Sequence, residues 1–194
     1  MRIGENLMFA PMLSFQNVQF TSSEHVARAY EARVEGFYLQ PAGTLCDSEH
    51  AFAAGVVTVS AIDFLASFNY TAPEMENRVN IGKCFKDFVQ AHLPSFTQAT
   101  YATRFYREFR NGLVHEARLK NAAEFNLNLD RVLQLRHGQL AINPRALIAE
   151  VRDALTEQVR KVREDRLVFQ HLVRRIQSQF AKELSVVGRG RRAA

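Results

Sequence analysis

The amino-acid sequence predicts a mainly α-helical protein with a short β-hairpin and a long last helix. Three observations predict this. Apolar residues recur at three- and four-residue spacing through most of the chain, the period of a helix with one buried stripe. Between about 123 and 142 the period drops to two, as in a half-buried strand. Asn143-Pro144 then offers a capping side chain and a first-turn proline, and an apolar stripe from Leu147 to Phe180 follows.

Residues 1–20 have scattered apolar positions without a period and are expected to form an N-terminal arm. Thr21-Ser-Ser-Glu24 has the spacing of a capping box, a hydroxyl followed three residues later by a glutamate. Val26, Ala27, Tyr30, Val34 and Phe37 continue it as a helix, which Pro41-Ala-Gly43 is expected to stop. Ser48 is the expected cap of a second helix, from about Glu49 to Phe68. Its middle is apolar nearly all round, so it is expected to be the central, buried helix. Ile81, Cys84, Phe85, Phe88 and Val89 mark a third helix ending before Pro94. Tyr101, Ala102, Phe105, Phe109 and Leu113 mark a fourth, from about Thr97 to Ala117. Short strands follow, with a turn at His137-Gly138. The last helix, about 144–184, is long for a globular helix, so a break near Arg163–Arg166 or packing on a partner helix is expected. The tail 188–194 is basic and expected to be disordered.

The 194 residues suit one domain, 21–187, between arm and tail. No apolar run reaches the roughly 20 residues of a membrane span, because the run from Ala51 ends at Asp63. The first residues lack the pattern of an export signal, and Cys46 and Cys84 are too few for a disulfide framework, so a cytoplasmic protein is expected. The net charge of +5 is unevenly placed. Residues 145–194 hold twelve Lys/Arg against six Asp/Glu, while the rest of the chain is nearly neutral. A localised basic field attracts polyanions, although it also describes a solvated helix face.

No phosphate-binding glycine loop, nucleophile elbow or paired Cys-x-x-Cys is present, and none of the six histidines is spaced to share a metal with another. No metal or cofactor is expected. What remains is the end of the fourth helix, where Arg110, Asn111 and His115 interrupt a pattern otherwise set for burial. Gly112 lies among them, although a mid-helix glycine costs about 1 kcal/mol relative to alanine. Such a glycine suggests a kink or the close approach of another backbone. At about 100° per residue, Arg110 and His115 lie roughly 140° apart, so one regular helix cannot bring them together. A helix-end arginine and histidine also commonly satisfy carbonyls, or pair with acids such as Glu108 and Glu116.

Arg110-Asn-Gly-Leu-Val-His115 resembles the arginine–histidine motif of the HEPN superfamily (higher eukaryotes and prokaryotes nucleotide-binding domain), in the Arg-Asn-x-x-x-His form of its ribonuclease members. Aromatic residues precede the motif, and Ala61-Ile-Asp-Phe-Leu65 is similar to the family's earlier helix with an acid in an apolar run. The resemblance implies a HEPN-like helical bundle in which the strands and the long last helix are elaborations. It also implies a metal-independent endoribonuclease acting as a homodimer on RNA, with Arg110 and His115 catalytic and Asn111 positioning substrate. A toxin or phage-defence effector restrained by an inhibitory partner protein is the expected setting.

Asp63 must find a partner within its apolar helix. It could hold Arg110 or His115, cap a helix, or pair with a structural arginine. Arg107, Arg118 and Lys120 flank the motif and are candidates for RNA backbone contacts. Two other readings stand beside the nuclease: a non-catalytic HEPN-like module binding RNA or a nucleotide, and a helical dimeric interaction protein.

Overall fold

The structure is a computed structural model that describes residues 2–3, 6–68 and 80–190, with side chains described over 7–68 and 80–185. Strands β1 (Arg2–Ile3), β2 (Asn6–Ala10) and β3 (Leu13–Ser14) precede α1 (Ser23–Val34), a π-helical turn (Glu35–Leu39) and α2 (Gln40–Asp47). Then come α3 (Ala51–Ser67), α4 (Ile81–His92), α5 (Ala99–Arg104), a second π turn (Phe105–Arg110) and α6 (Asn111–Glu116). Strands β4 (Glu124–Phe125), β5 (Leu133–Arg136) and β6 (Gln139–Ile142) lead to α7 (Pro144–Glu164), α8 (Arg166–Gln179) and α9 (Ala181–Gly190). The class is mainly α, with two small sheets. No helix among the described residues is long and apolar enough to cross a membrane.

Three local expectations are corrected. Pro41 does not stop the first helix, which runs on through the π turn into α2. The wider π turn just ahead of Pro41 moves the carbonyl that its ring would meet in a regular helix. The capping hydroxyl is that of Ser22, which accepts from the His25 amide at 3.2 Å, rather than that of Thr21. α3 starts at Ala51 behind His50 with no side-chain cap, and Ser48 instead closes α2.

Other local signals read directly. Asn143 caps α7 through Oδ1, which accepts from the Arg145 and Ala146 amides at 2.9 and 3.3 Å, with Pro144 in the first turn. The long last helix breaks at Asp165, whose carboxylate accepts from the Leu167 and Val168 amides and starts α8. It breaks again at Phe180. His137 and Gly138 both have positive φ, 49° and 80°, the conformation of the type I′ turn that matches strand twist. Residues 188–190 close α9; Arg191 and Arg192 of the basic tail lie outside the described residues.

The chain divides into two compact units, Met1–Phe37 with Leu155–Ala194, and Tyr38–Ala154. In the first, β1, β2 and β3 form an antiparallel meander that contributes Phe9 and Ala10 to the core, and the 3-10 turn after β3 adds Phe15. Phe9, Phe15 and Phe180 meet with centroids 5.2–6.0 Å apart. The Arg33 guanidinium lies 4.8–5.4 Å from the rings of Phe9, Phe37 and Phe180 and donates to the Phe9 carbonyl. Tyr30 donates to the Gln158 amide oxygen, fixing α1 against the C-terminal half of α7.

The second unit carries the motif. α3 is its central helix, with Ala54, Ala61, Ile62 and Leu65 fully buried, as its all-round apolar pattern predicts. Phe85, Phe96, Phe105, Phe109 and Phe125 form a chain of ring contacts at 4.7–5.5 Å. Each of the four fully buried rings, Phe85, Phe96, Phe105 and Phe109, contributes about 2–3 kcal/mol by burial. Gly55 is needed there, since a Cβ on it would stand 2.4 Å from the Phe125 ring. The sheet order is β4-β6-β5, β4 parallel and β5 antiparallel to β6.

Candidate functional site

The end of the α5–α6 helix is built by a π turn and a backbone return. A regular helix buries residues at three- and four-residue spacing. Across this π turn three consecutive residues, Glu108, Phe109 and Arg110, are buried instead. The extra residue of a π turn rotates the side chains beyond it about the helix axis, and such turns recur at functional positions. Arg110 is thereby aimed at the side of α3. Its Nε and Nη2 donate to the two carboxylate oxygens of Asp63 at 3.2 and 2.8 Å. Nη1 reaches the Asn111 side-chain oxygen at 3.4 Å, and the guanidinium lies 5.8 Å from the Tyr106 ring centroid. This fork-to-fork pair fixes the plane of the guanidinium as well as its position.

Gly112 has its reason in the same turn. Past Glu116 the chain turns back through Ala117, in the left-handed region at φ 53°, so that the Ala117 and Arg118 amides both donate to the Gly112 carbonyl. A Cβ on Gly112 would lie 2.4 Å from the Arg118 carbonyl oxygen, so any other residue would push the return strand away. Of the two sequence alternatives, close backbone approach is the one realised. The Lys120 amide closes the return on the Glu108 carbonyl at 2.9 Å.

Asp63, Arg110 and Asn111 are therefore brought together, with Tyr106 beside them. His115 is not part of that group. It lies exposed on the last turn of α6, and no side-chain hydrogen bond or ion pair joins it to a described residue. Comparison with known protein families, with curated proteins and with solved structures gives no match to this chain.

The flanking cations have partners of their own. Arg107 donates to Glu108 at 3.0 Å, while Arg118 and Lys120 pair with Glu116 at 2.6 and 2.5 Å. Arg107 and Arg118 remain 60% and 65% exposed, so each can reach a polyanion; Lys120 is more enclosed, at 29%. Lys120 and Arg118 hold the Glu116 carboxyl below its usual range.

Glu108 stands in the sequence only as a partner for the motif, yet it organises the helix. Its side chain is 1% exposed and accepts from Arg104, Arg107 and Asn121. Burial pulls its carboxyl upward, but those donors outweigh burial and hold it below the ordinary value. Arg104 also donates to the Gly138 carbonyl, tying α5 to the hairpin turn. The sequence signal for it is an acid at i+4 from Arg104 on a helix. Its burial, which makes the pair structural, depends on the π turn.

Two recesses lie along the same helix. One, of about 530 Å³, is lined by Tyr101, Asp130, Arg131, Leu133, Gln134 and Leu135. The other, of about 460 Å³ and more open, is lined by Ala99, Thr100, Thr103, Arg104 and Arg107. Among the described residues no group of three or more His, Cys, Asp or Glu side chains is placed to hold a metal ion.

Proposed function

We propose that this chain is a HEPN-like endoribonuclease that cleaves RNA without a metal and works as a homodimer. The observation that carries the proposal is the bidentate pair of Arg110 with Asp63. It holds the motif arginine in one orientation beside Asn111, with His115 exposed and unengaged on the following turn. Every motif side chain thus has a role in the reaction. The ribose 2′-oxygen attacks the adjacent phosphorus and gives its proton to a histidine base. The 5′-oxygen leaves with a proton from an acid. The products are a 2′,3′-cyclic phosphate and a 5′-hydroxyl. An imidazole with an unperturbed pKa near 6.5 serves either step near neutral pH. One chain offers one His115, and a twofold pair supplies the second. Arg110 stabilises the charge that grows on the phosphorane oxygens, and Asn111 positions the phosphate.

A second reading has its own observation. Arg110 is only 9% exposed, and two of its nitrogens are spent on Asp63. An arginine so engaged suits a non-catalytic module that binds RNA or a nucleotide through the exposed Arg107 and Arg118. Cleavage of end-labelled RNA in excess chelator separates the two. The nuclease reading expects 2′,3′-cyclic phosphate ends, lost in His115→Ala and Arg110→Ala proteins that keep their circular dichroism. RNA binding with equal inertness of all three proteins would favour the binding module and end the nuclease proposal.

A further inference from the structure

An edge strand of the second unit's sheet has one side that no described strand pairs with. In the order β4-β6-β5, strand β5 has β6 on one side and, among the described residues, no strand on the other. The two-residue turn makes Arg136 and Gln139 the hydrogen-bonded pair that closes the hairpin. Such pairs alternate, so Gln134 bonds to Ala141, while Leu133 and Leu135 belong to the non-bonded positions. The N–H and C=O groups of Leu133 and Leu135 therefore point to the free edge. That edge faces the 530 Å³ recess. The described residues lining it come from β5, from the Asp130-Arg131 approach and from Tyr101 on α5, with none from β6.

We infer that this recess is a docking slot for an extended, acidic segment of a partner protein, which adds a strand to β5 between the sheet edge and α5. The spacing of the outward groups speaks for a polypeptide. Alternating donors and acceptors two residues apart match another extended backbone, and a nucleic acid has no such ladder. Tyr101, Leu133 and the 45% exposed Leu135 give an apolar wall for alternate side chains of the added strand. Charge selects the flanks. Arg131, just before the strand, makes no ion pair among the described residues. Arg136, at its end, has among the described residues only Glu124, at 3.9 Å. Cations at both ends of β5 fit a segment with an apolar centre and acidic ends; among the described lining residues Asp130 is the opposing charge. A second copy of β5 would set those same arginines against each other, which like-charge pairing disfavours. The slot is independent of the nuclease proposal and stands without it.

The test is titration of the full chain with a doubly capped Glu-Asp-Val-Thr-Val-Glu-Asp peptide, following heat and the amide exchange of β5. Saturable binding is expected, with the Leu133 and Leu135 amides newly protected. Arg131→Glu should weaken it by about tenfold. N-methylation of the peptide at alternate residues should abolish it. Leu135→Pro removes an outward N–H and spares the bonds to β6, an edge position where proline is tolerated, so it too should abolish binding. The His115→Ala protein, with any nuclease activity removed, should bind the peptide like the wild type. No saturable binding at about 1 mM peptide would overturn the inference. So would equal binding of the N-methylated peptide, self-association through β5, or displacement of the peptide by a single-stranded RNA hexamer that protects the same amides.

Discussion

Arg110 and Asp63 are 47 residues apart in sequence and joined by two hydrogen bonds, at 3.2 and 2.8 Å, between a helix end and the flank of the central helix. The side chains of Asp63 and Arg110 are 30% and 11% exposed, so the pair is partly shielded from water and is worth about 1–3 kcal/mol. Asp63→Ala should cost that much in urea unfolding and leave Arg110 free to turn. If the chain is the nuclease proposed, RNA cleavage should fall by about 10- to 100-fold, the usual cost of losing an orienting partner. Arg110→Lys should rescue neither property, since an ammonium cannot make the two-point pair.

Gly112→Ala should destabilise the protein although alanine favours helix by about 1 kcal/mol. The added methyl would sit 2.4 Å from the Arg118 carbonyl, and moving the return strand is expected to cost a net of about 1–3 kcal/mol. Urea midpoints of the two proteins, read by circular dichroism, check this. A gain in stability would mean that the return strand yields freely.

The Glu108 network gives a pH dependence with a definite sign. In the folded chain this carboxyl sits below its ordinary value of 4.5, because donors from Arg104, Arg107 and Asn121 outweigh burial. Its contribution is complete above that value and is lost as pH falls through the lower folded value. Glu108→Gln should flatten the loss of stability below about pH 4 and cost about 3 kcal/mol at neutral pH by leaving Arg104 half-buried without its acid. Chemical unfolding at several pH values reads both effects.

Asn143 works on both sides of a junction. Oδ1 caps α7, while Nδ2 donates to the Leu129 and Leu127 carbonyls at 2.7 and 3.3 Å. Asn143→Ala should cost about 2–3 kcal/mol, more than an ordinary cap, because it also strands a buried carbonyl. Asn143→Ser should recover the capping share alone. Thermal unfolding of the three proteins separates the two shares.

His115→Ala should change stability by less than about 0.5 kcal/mol, since the residue is exposed and makes no described side-chain bond. A larger loss in thermal unfolding would assign the histidine a structural role and weaken the nuclease proposal.

Much of the helical order is legible because its signals are local. The stripes of α3 and α4, the Asn143-Pro144 start, the hairpin at His137-Gly138 and the break just after Arg163 each depend on neighbours within a few residues. Pro41 misleads for a related reason. Proline ends a helix when the preceding turn is regular, and nothing in the adjacent residues announces a π turn. The N-terminal meander is illegible because two-residue strands such as β1 and β3 are too short to show a period. At the site, Arg110, Asn111 and His115 stand out as polar residues in a buried pattern, whereas Glu108 looks like one more helix acid.

The sequence by itself determined the helical class, the position of the hairpin, the cap at Asn143, a break near Arg163–Arg166, and that Gly112 marks a kink or a close backbone approach. Each follows from propensity, hydrogen-bonding groups and periods that act over one or two turns. Only the tertiary structure decided that Arg110 meets Asp63, that Glu108 is buried among its three donors, and that no described strand pairs with the outer side of β5. A π turn is unfavourable locally and persists because packing of Phe105 and Phe109 on their neighbours compensates it. The placement of Arg110 is therefore a property of the folded core, and no window of sequence around the motif contains it.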